Sequence, residues 1–275
     1  MKKRIALYST AICAACFLFV ACGGNAGETN DSQEAATDTS SQVETPAPVI
    51  KLSDFTTSPE FPDAKVSMDY KGGKFTFKVE SKTYKLGEQT TDAPQKMCAN
   101  SKDGQHIHLI VDNGPYDALY KPEFEKEVAD GDHYLLAFLS RSYHESIKTQ
   151  TAHTLVKASV KDKSIVKSAP VTEPMVFYSR PKGKYVGKSE TDKVMLDFYL
   201  ANVNLSPDGY KVKVLVNGQS EFIVDKWQPY FLEGLPMGDN KIQLTLIDKD
   251  GNPVASPLNP VERVFTLVED PAPGQ

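Results

Sequence analysis

The chain has 275 residues, with 31 Lys and Arg against 36 Asp and Glu and a formal net charge of −5. That acidic balance argues against a nucleic-acid partner, which calls for a clustered basic face. Four cysteines, two of them within the first 16 residues, leave too few for a disulfide scaffold.

Residues 1–21 read as an export signal. Lys2, Lys3 and Arg4 form a positive start, and Ile5 to Ala21 is apolar or small apart from Tyr8, Ser9 and Thr10. The run falls short of a comfortable membrane span, about 20 apolar residues, and suits a signal peptide. It ends in Phe19-Val20-Ala21-Cys22-Gly23-Gly24, which resembles the lipobox of bacterial lipoproteins with Phe19 where Leu is usual. The resemblance implies cleavage before Cys22, lipid on Cys22 and a membrane anchor. Gly23 in place of Asp after the cysteine implies the outer membrane, on either its periplasmic face or the cell surface. Two or three acyl chains at about 0.8 kcal/mol per buried CH₂ anchor a protein without a spanning helix.

Residues 22–49 read as a disordered tether. Beyond the cysteine it has no aromatic residue, Lys or Arg, and it carries Glu28, Asp31, Glu34, Asp38 and Glu44. Such a segment buries too little apolar surface to offset its ordering entropy, and Thr45-Pro46-Ala47-Pro48 stiffens its end. Without signal and tether, the body carries a net charge near −3 by residue count. Its lone cysteine, Cys98, is expected to be a buried small apolar residue.

From residue 50 the chain alternates short apolar runs with turn residues. Strands are expected at Ala64 to Tyr70, Phe75 to Glu80, His106 to Asp112, His133 to Ser140, Met175 to Ser179, Val194 to Ala201, Tyr210 to Asn217, Lys241 to Asp248 and Val261 to Val268. Lys71-Gly72-Gly73-Lys74 reads as a hairpin turn, and Asn217-Gly218 and Asp250-Gly251 punctuate the second half. Pro122 to Ala129 is the place for one short helical turn. The pattern predicts an all-β chain of two tandem immunoglobulin-like β-sandwich domains, 50–168 and 169–270, with Ser168-Ala169-Pro170 at the boundary. The halves read as a repeat: Leu109 to Gly114 parallels Lys213 to Gly218, and Gly131-Asp132-His133 parallels Gly238-Asp239-Asn240.

All five histidines fall in the first half: His106, His108, His133, His144 and His153. His106 and His108 are two apart on a strand and share a face. Ile107, Leu109 and Val111 take the other face, toward the core, which leaves the imidazoles outward or under a loop. Paired imidazoles on a rigid strand suit Zn²⁺ or Cu²⁺, with His133 and His144 as further ligands. The repeat puts Tyr210, Val212 and Asn240 where the first half has His106, His108 and His133, so the fold itself does not demand histidine there. Surface or hydrogen-bonded histidines are the bland alternative.

Arg141 and Arg180 each follow a strand end, and Lys182 lies just beyond the second. If the two ends converge, Arg141, Arg180 and Lys182 suit binding of a phosphate or carboxylate; structural ion pairs are the alternative. Trp227 in Lys226-Trp227-Gln228-Pro229-Tyr230-Phe231 is either a core residue or an exposed stacking platform. No nucleophile elbow, zinc-protease helix, P-loop or dinucleotide fingerprint is present, which favours a non-enzyme.

Two resemblances add to this. Gly104-Gln105-His106-Ile107-His108-Leu109-Ile110-Val111-Asp112, followed by Gly131-Asp132-His133, resembles uncharacterised periplasmic β-sandwich domains with a His-His-His-Leu-Ile-Asp run. Here Ile107 replaces the middle histidine. Leu136 to Ser146, Phe177 to Gly183 and Glu233 to Gly238 resemble Bacteroidota lipoproteins that often carry the label "phosphopeptide-binding protein". That resemblance brings no established site, and no forkhead-associated motif accompanies it. The expectation is a lipid-anchored cell-envelope binding or scaffold protein, whose partner is a protein, peptide or small ligand. Metal binding through the histidines and anion binding through the arginines are the alternatives.

Overall fold

The computed structural model describes residues 49–56 and 58–271. The expected signal peptide, Cys22 and all of the tether before Val49 lie outside the described residues. Within them no helix is long and apolar enough to cross a membrane.

The described chain is all-β. In order the strands are β1 (Lys51–Asp54), β2 (Lys65–Lys71), β3 (Lys74–Glu80), β4 (His106–Val111), β5 (Asp117–Leu119), β6 (Glu123–Glu125), β7 (Gly131–Ser140), β8 (His153–Lys161) and β9 (Ser164–Pro170). They continue as β10 (Met175–Arg180), β11 (Gly183–Val186), β12 (Val194–Ala201), β13 (Lys211–Val216), β14 (Ser220–Val224), β15 (Tyr230–Glu233), β16 (Gly238–Ile247) and β17 (Val261–Val268). One short α-helix, Lys188–Thr191, precedes β12, and one 3₁₀ turn, Ala93–Gln95, lies between β3 and β4. The nine strands expected from alternation are all present.

These strands form four sheets, ordered β2-β3-β6, β5-β4-β7-β8-β9, β1-β15-β12-β10 and β11-β17-β16-β13-β14. Every pairing is antiparallel except β11 with β17. Pro122 to Ala129 is not helical: β6 occupies it and pairs with β3, setting Phe124 opposite Phe75 at the rim of the core. β1 pairs with β15, Leu52 opposite Leu232, so this strand joins the sheets of the second half. Ser168, Ala169 and Pro170 lie inside β9, against β8.

Alternation explains two of the three main cores. Val66, Tyr70, Phe75 and Phe77 from β2 and β3 meet Ile107, Leu109, Leu135, Ala137 and Leu139 from β4 and β7. In the second half Val194, Leu196 and Phe198 of β12 meet Val212, Val214, Leu244 and Phe265 of the facing sheet. Each is a pair of sheets closed over their inner faces. The third core lies between these pairs. Ile110, Leu136 and Phe138 on the far face of β4 and β7 pack on Met175, Phe177 and Tyr199 on the far face of β10 and β12. Phe138 and Tyr199 stack there at 4.8 Å. Hence β10 and β12 are buried at every residue, as strands covered on both faces must be.

This third core, a seam between the two sandwiched pairs, is tied by polar contacts. Asn113 takes φ 57° in the β4 turn, donates to Val176 O at 2.9 Å and accepts from Tyr178 N at 2.9 Å. Trp227 is half-buried beside the seam, donates Nε1–H to Phe198 O at 3.0 Å and meets Tyr199 edge-on at 5.0 Å. It is a packing residue with a satisfied N–H.

Candidate metal centre

The strand alternation that sends Ile107 and Leu109 into the first core sends His106 and His108 the other way, into the seam. Both are fully buried: of the two expected placements, outward or under a loop, the outward one is wrong, and loops together with a second sheet cover that face. Ser179 of β10 brings its Oγ within 3.4 Å of His108 Nδ1. Tyr116 stacks on the His108 ring at 3.7 Å and 10°, and Tyr120 lies 4.9 Å from the His106 ring. His144, partly exposed, comes from the turn after β7, its ring 4.7 Å from that of His106. Its φ of 69° is a left-handed value that histidine tolerates better than most residues.

The result is a group of three imidazoles whose candidate ligand nitrogens lie within 4.8 Å of one another, with no carboxylate among them. His106 Nδ1–H donates to Gly104 O at 2.8 Å, which leaves its Nε2 lone pair facing His108 Nε2 at 2.9 Å. With that tautomer His108 donates the shared hydrogen bond, and its Nδ1 accepts from the Ser179 hydroxyl. A hydroxyl both donates and accepts, so Ser179 also supports the reverse tautomer, with the proton on His108 Nδ1 and Nε2 free to ligate. His144 Nδ1 is buried with no hydrogen-bond partner. Nitrogens sharing one tetrahedral ion at about 2.0–2.1 Å stand roughly 3.3 Å apart. The His106–His108 pair must therefore open by a few tenths of an ångström, and His144 must close on its turn.

The surroundings keep these imidazoles neutral, the form that binds metal. Burial lowers His106 to about 4, against the hydrogen bond it donates to the Gly104 carbonyl, which raises it, with Arg180 and Lys182 adding to the depression. Burial also pushes His108 well below its usual value, aided by His106, His144, Arg180 and Lys182. His144 follows for the same reasons, burial first and the Arg180 charge next.

His133 stands apart from this group. It sits seven residues from Ser140, the β7 partner of His106, which is over 20 Å along a strand at about 3.4 Å per residue. Both of its nitrogens are engaged, Nδ1 by Asp112 at 2.5 Å and Nε2 by Ala129 O at 2.9 Å. His153 lies on β8 opposite Phe138, with its ring 5.0 Å from Tyr199.

The expected anion set divides as well. Arg141 pairs with Glu145 at 3.5 Å, donates to Pro59 O and lies 5.4 Å over the Phe61 ring. Arg180 donates Nη2–H to the Tyr185 hydroxyl at 2.6 Å. Lys182 donates to Tyr116 O and lies 4.0 Å over the Tyr116 ring. Lys182 thus lies across the Tyr116 ring from His108 and Arg180 follows Ser179, which touches His108, while Arg141 secures its own turn. Cys98 packs beside Phe55, Tyr143 and Phe231, and burial pushes its thiol up to about 11, an unreactive state. Sequence reasoning missed Tyr116, Tyr120 and Ser179. The first two flank β5, whose three residues are too few to show alternation.

No family model and no curated protein matches this sequence. A solved structure of Clostridium thermocellum CbhA fibronectin(III)-like modules matches at 13% identity, covering 80% of this chain and 95% of that chain with a TM-score of 0.28.

Proposed function

We propose that this chain is an exported, lipid-anchored cell-envelope protein that binds a transition-metal ion, Zn²⁺ or Cu²⁺, through His106, His108 and His144. One observation carries the reading: three imidazoles with ligand nitrogens within 4.8 Å of one another, one of them, His144, holding a buried nitrogen without a partner. Three histidines with one open position are a familiar donor set for Zn²⁺, and imidazole equally suits copper. The Gly104 carbonyl and the Ser179 hydroxyl supply the outer hydrogen bonds that orient ligating rings.

The frame proposed for this site is two tandem immunoglobulin-like sandwiches, supported by the matching hairpins of the two halves. The address proposed is the outer membrane through Cys22, supported by the lipobox resemblance. Metal analysis of untagged protein tests the central claim. One ion per chain, lost in the His106→Ala/His108→Ala double variant, is expected; wild-type protein that binds neither Zn²⁺ nor Cu²⁺ near neutral pH overturns it. Release of the protein from the membrane fraction by Cys22→Ser tests the anchor.

A further inference from the structure

We infer that an ion held by His106, His108 and His144 takes an oxyanion, a carboxylate or phosphate group, in its open position. One oxygen lies on the metal and another accepts from the Arg180 guanidinium. The inference rests on the metal-binding reading above and names what completes that site.

Charge balance is the first argument. The three imidazoles are neutral donors, and no carboxylate belongs to their group. A divalent ion there brings two positive charges into a place where His106 and His108 are fully buried. Arg180, also buried, directly follows Ser179, whose hydroxyl lies 3.4 Å from His108. Uncompensated buried charge is expensive, and protein sites ordinarily pair it. An anionic ligand on the open position supplies that pairing.

The second argument is the state of Arg180 itself. Its Nε and Nη2 both donate to the Tyr185 hydroxyl, at 3.1 and 2.6 Å. Its Nη1 is buried with no hydrogen-bond partner. The carboxylate opposite it in the sheet register, Asp197, is engaged by the Lys148 ammonium at 2.8 Å and by Ser146 Oγ at 3.0 Å. A guanidinium presents a planar fork suited to oxyanions, and here part of that fork is left over.

The third argument is position. Arg180 directly follows Ser179, the residue that touches His108. The strand register shifts between Tyr178 and Arg180, a bulge that re-aims the side chain at the end of β10. Lys182 rests on Tyr116, whose ring stacks on His108. A second cation therefore lies across one aromatic ring from His108.

Co²⁺-loaded wild-type protein, read by its visible d–d absorption, tests the inference. Acetate and phosphate are titrated separately, with chloride held constant. A saturable band shift by either anion is expected, and the anion that acts identifies the carboxylate or phosphate arm. In Arg180→Met the half-saturating concentration is expected to rise at least about tenfold, with Co²⁺ stoichiometry unchanged. Bound Co²⁺ whose spectrum neither anion moves overturns the oxyanion and leaves the metal reading intact. Failure to bind Co²⁺, Zn²⁺ or Cu²⁺ removes both. An anion response unchanged in Arg180→Met overturns the role given to Arg180. Should that variant fail to fold, Arg180→Lys, which keeps the charge without the fork, is read in the same way.

Discussion

His133 and Asn240 hold the same post in the two halves of the chain. In the first half the turn residue Asp112 accepts from Tyr134 N at 2.8 Å and meets His133 Nδ1. In the second half Asn217 accepts from Lys241 N at 2.8 Å and donates to Asn240 Oδ1 at 2.8 Å. Both turns use left-handed backbone, φ 50° and 57° at Asp112 and Asn113, φ 52° and 71° at Asn217 and Gly218, so the two hairpins correspond one residue off the sequence parallel, with Lys213 rather than Val212 at the place of His108. Histidine at 133 is thus one of two side chains that serve a single hairpin. His133→Asn is expected to leave metal stoichiometry unchanged and to move stability by no more than about 1 kcal/mol. Loss of the metal in that variant would contradict the division of the histidines made here.

His144 gives the opposite expectation. It lies on a turn at φ 69° and is the partly exposed member of the cluster. Asparagine tolerates that backbone, so His144→Asn removes a ligand without forcing the turn. Metal affinity is expected to fall at least about tenfold, while the metal-free melting temperature stays within a few degrees. Competition against a chromogenic chelator, paired with thermal melts, checks both halves of the statement.

Acid should destabilise the metal-free protein. His106 is held near 4, against 6.5 for a free imidazole, chiefly by burial, and His153 is lowered for the same cause. Below 6.5 the unfolded chain takes up protons that the folded chain refuses. The contribution is whole above pH 6.5 and lost as pH falls toward 4. For His106 alone that amounts to about 3 kcal/mol. Denaturant melts in chelator at pH 7.5, 6, 5 and 4 measure it; His106→Gln should flatten the slope, and a slope identical to wild type would refute the assignment.

Asp197 should be costly to remove. It is fully buried, accepts from Ser146 N at 3.1 Å and pairs with Lys148 Nζ at 2.8 Å. Asp197→Ala leaves a half-buried ammonium and a buried backbone N–H without their acceptor, a loss of about 3 kcal/mol. The double variant Asp197→Ala/Lys148→Met should recover part of it in equilibrium unfolding. No recovery would mean that the ion pair is not the source.

Much of the fold was legible because its punctuation is local. Gly72-Gly73 and Asn217-Gly218 turn the chain where left-handed backbone is needed, and alternation in β4 separates Ile107 and Leu109 from His106 and His108. Distant pairing was not legible: nothing in Lys51–Asp54 announces a partner at Tyr230–Glu233. β8 and β9 hide behind interspersed Lys and Ser, since the outer part of that sheet faces water. At the site, the shared face of His106 and His108 followed from spacing, but the occupant of that face did not. A strand pattern reports which residues lie together; whether water, a loop or a second sheet lies opposite depends on packing between elements remote in sequence.

The seam has a practical consequence for dissection of the molecule. A cut after Pro170 would divide the chain at an apparent boundary, yet the two fragments would bare Phe138 and Leu136 on one side and Phe177 and Tyr199 on the other. Each fragment would carry a greasy flank prone to self-association, and the first would keep its imidazoles while forfeiting Ser179 and Arg180. Residues 49–271 are better regarded as one block, in which the three imidazoles and the tyrosines against them lie in one half and Ser179 and Arg180 in the other.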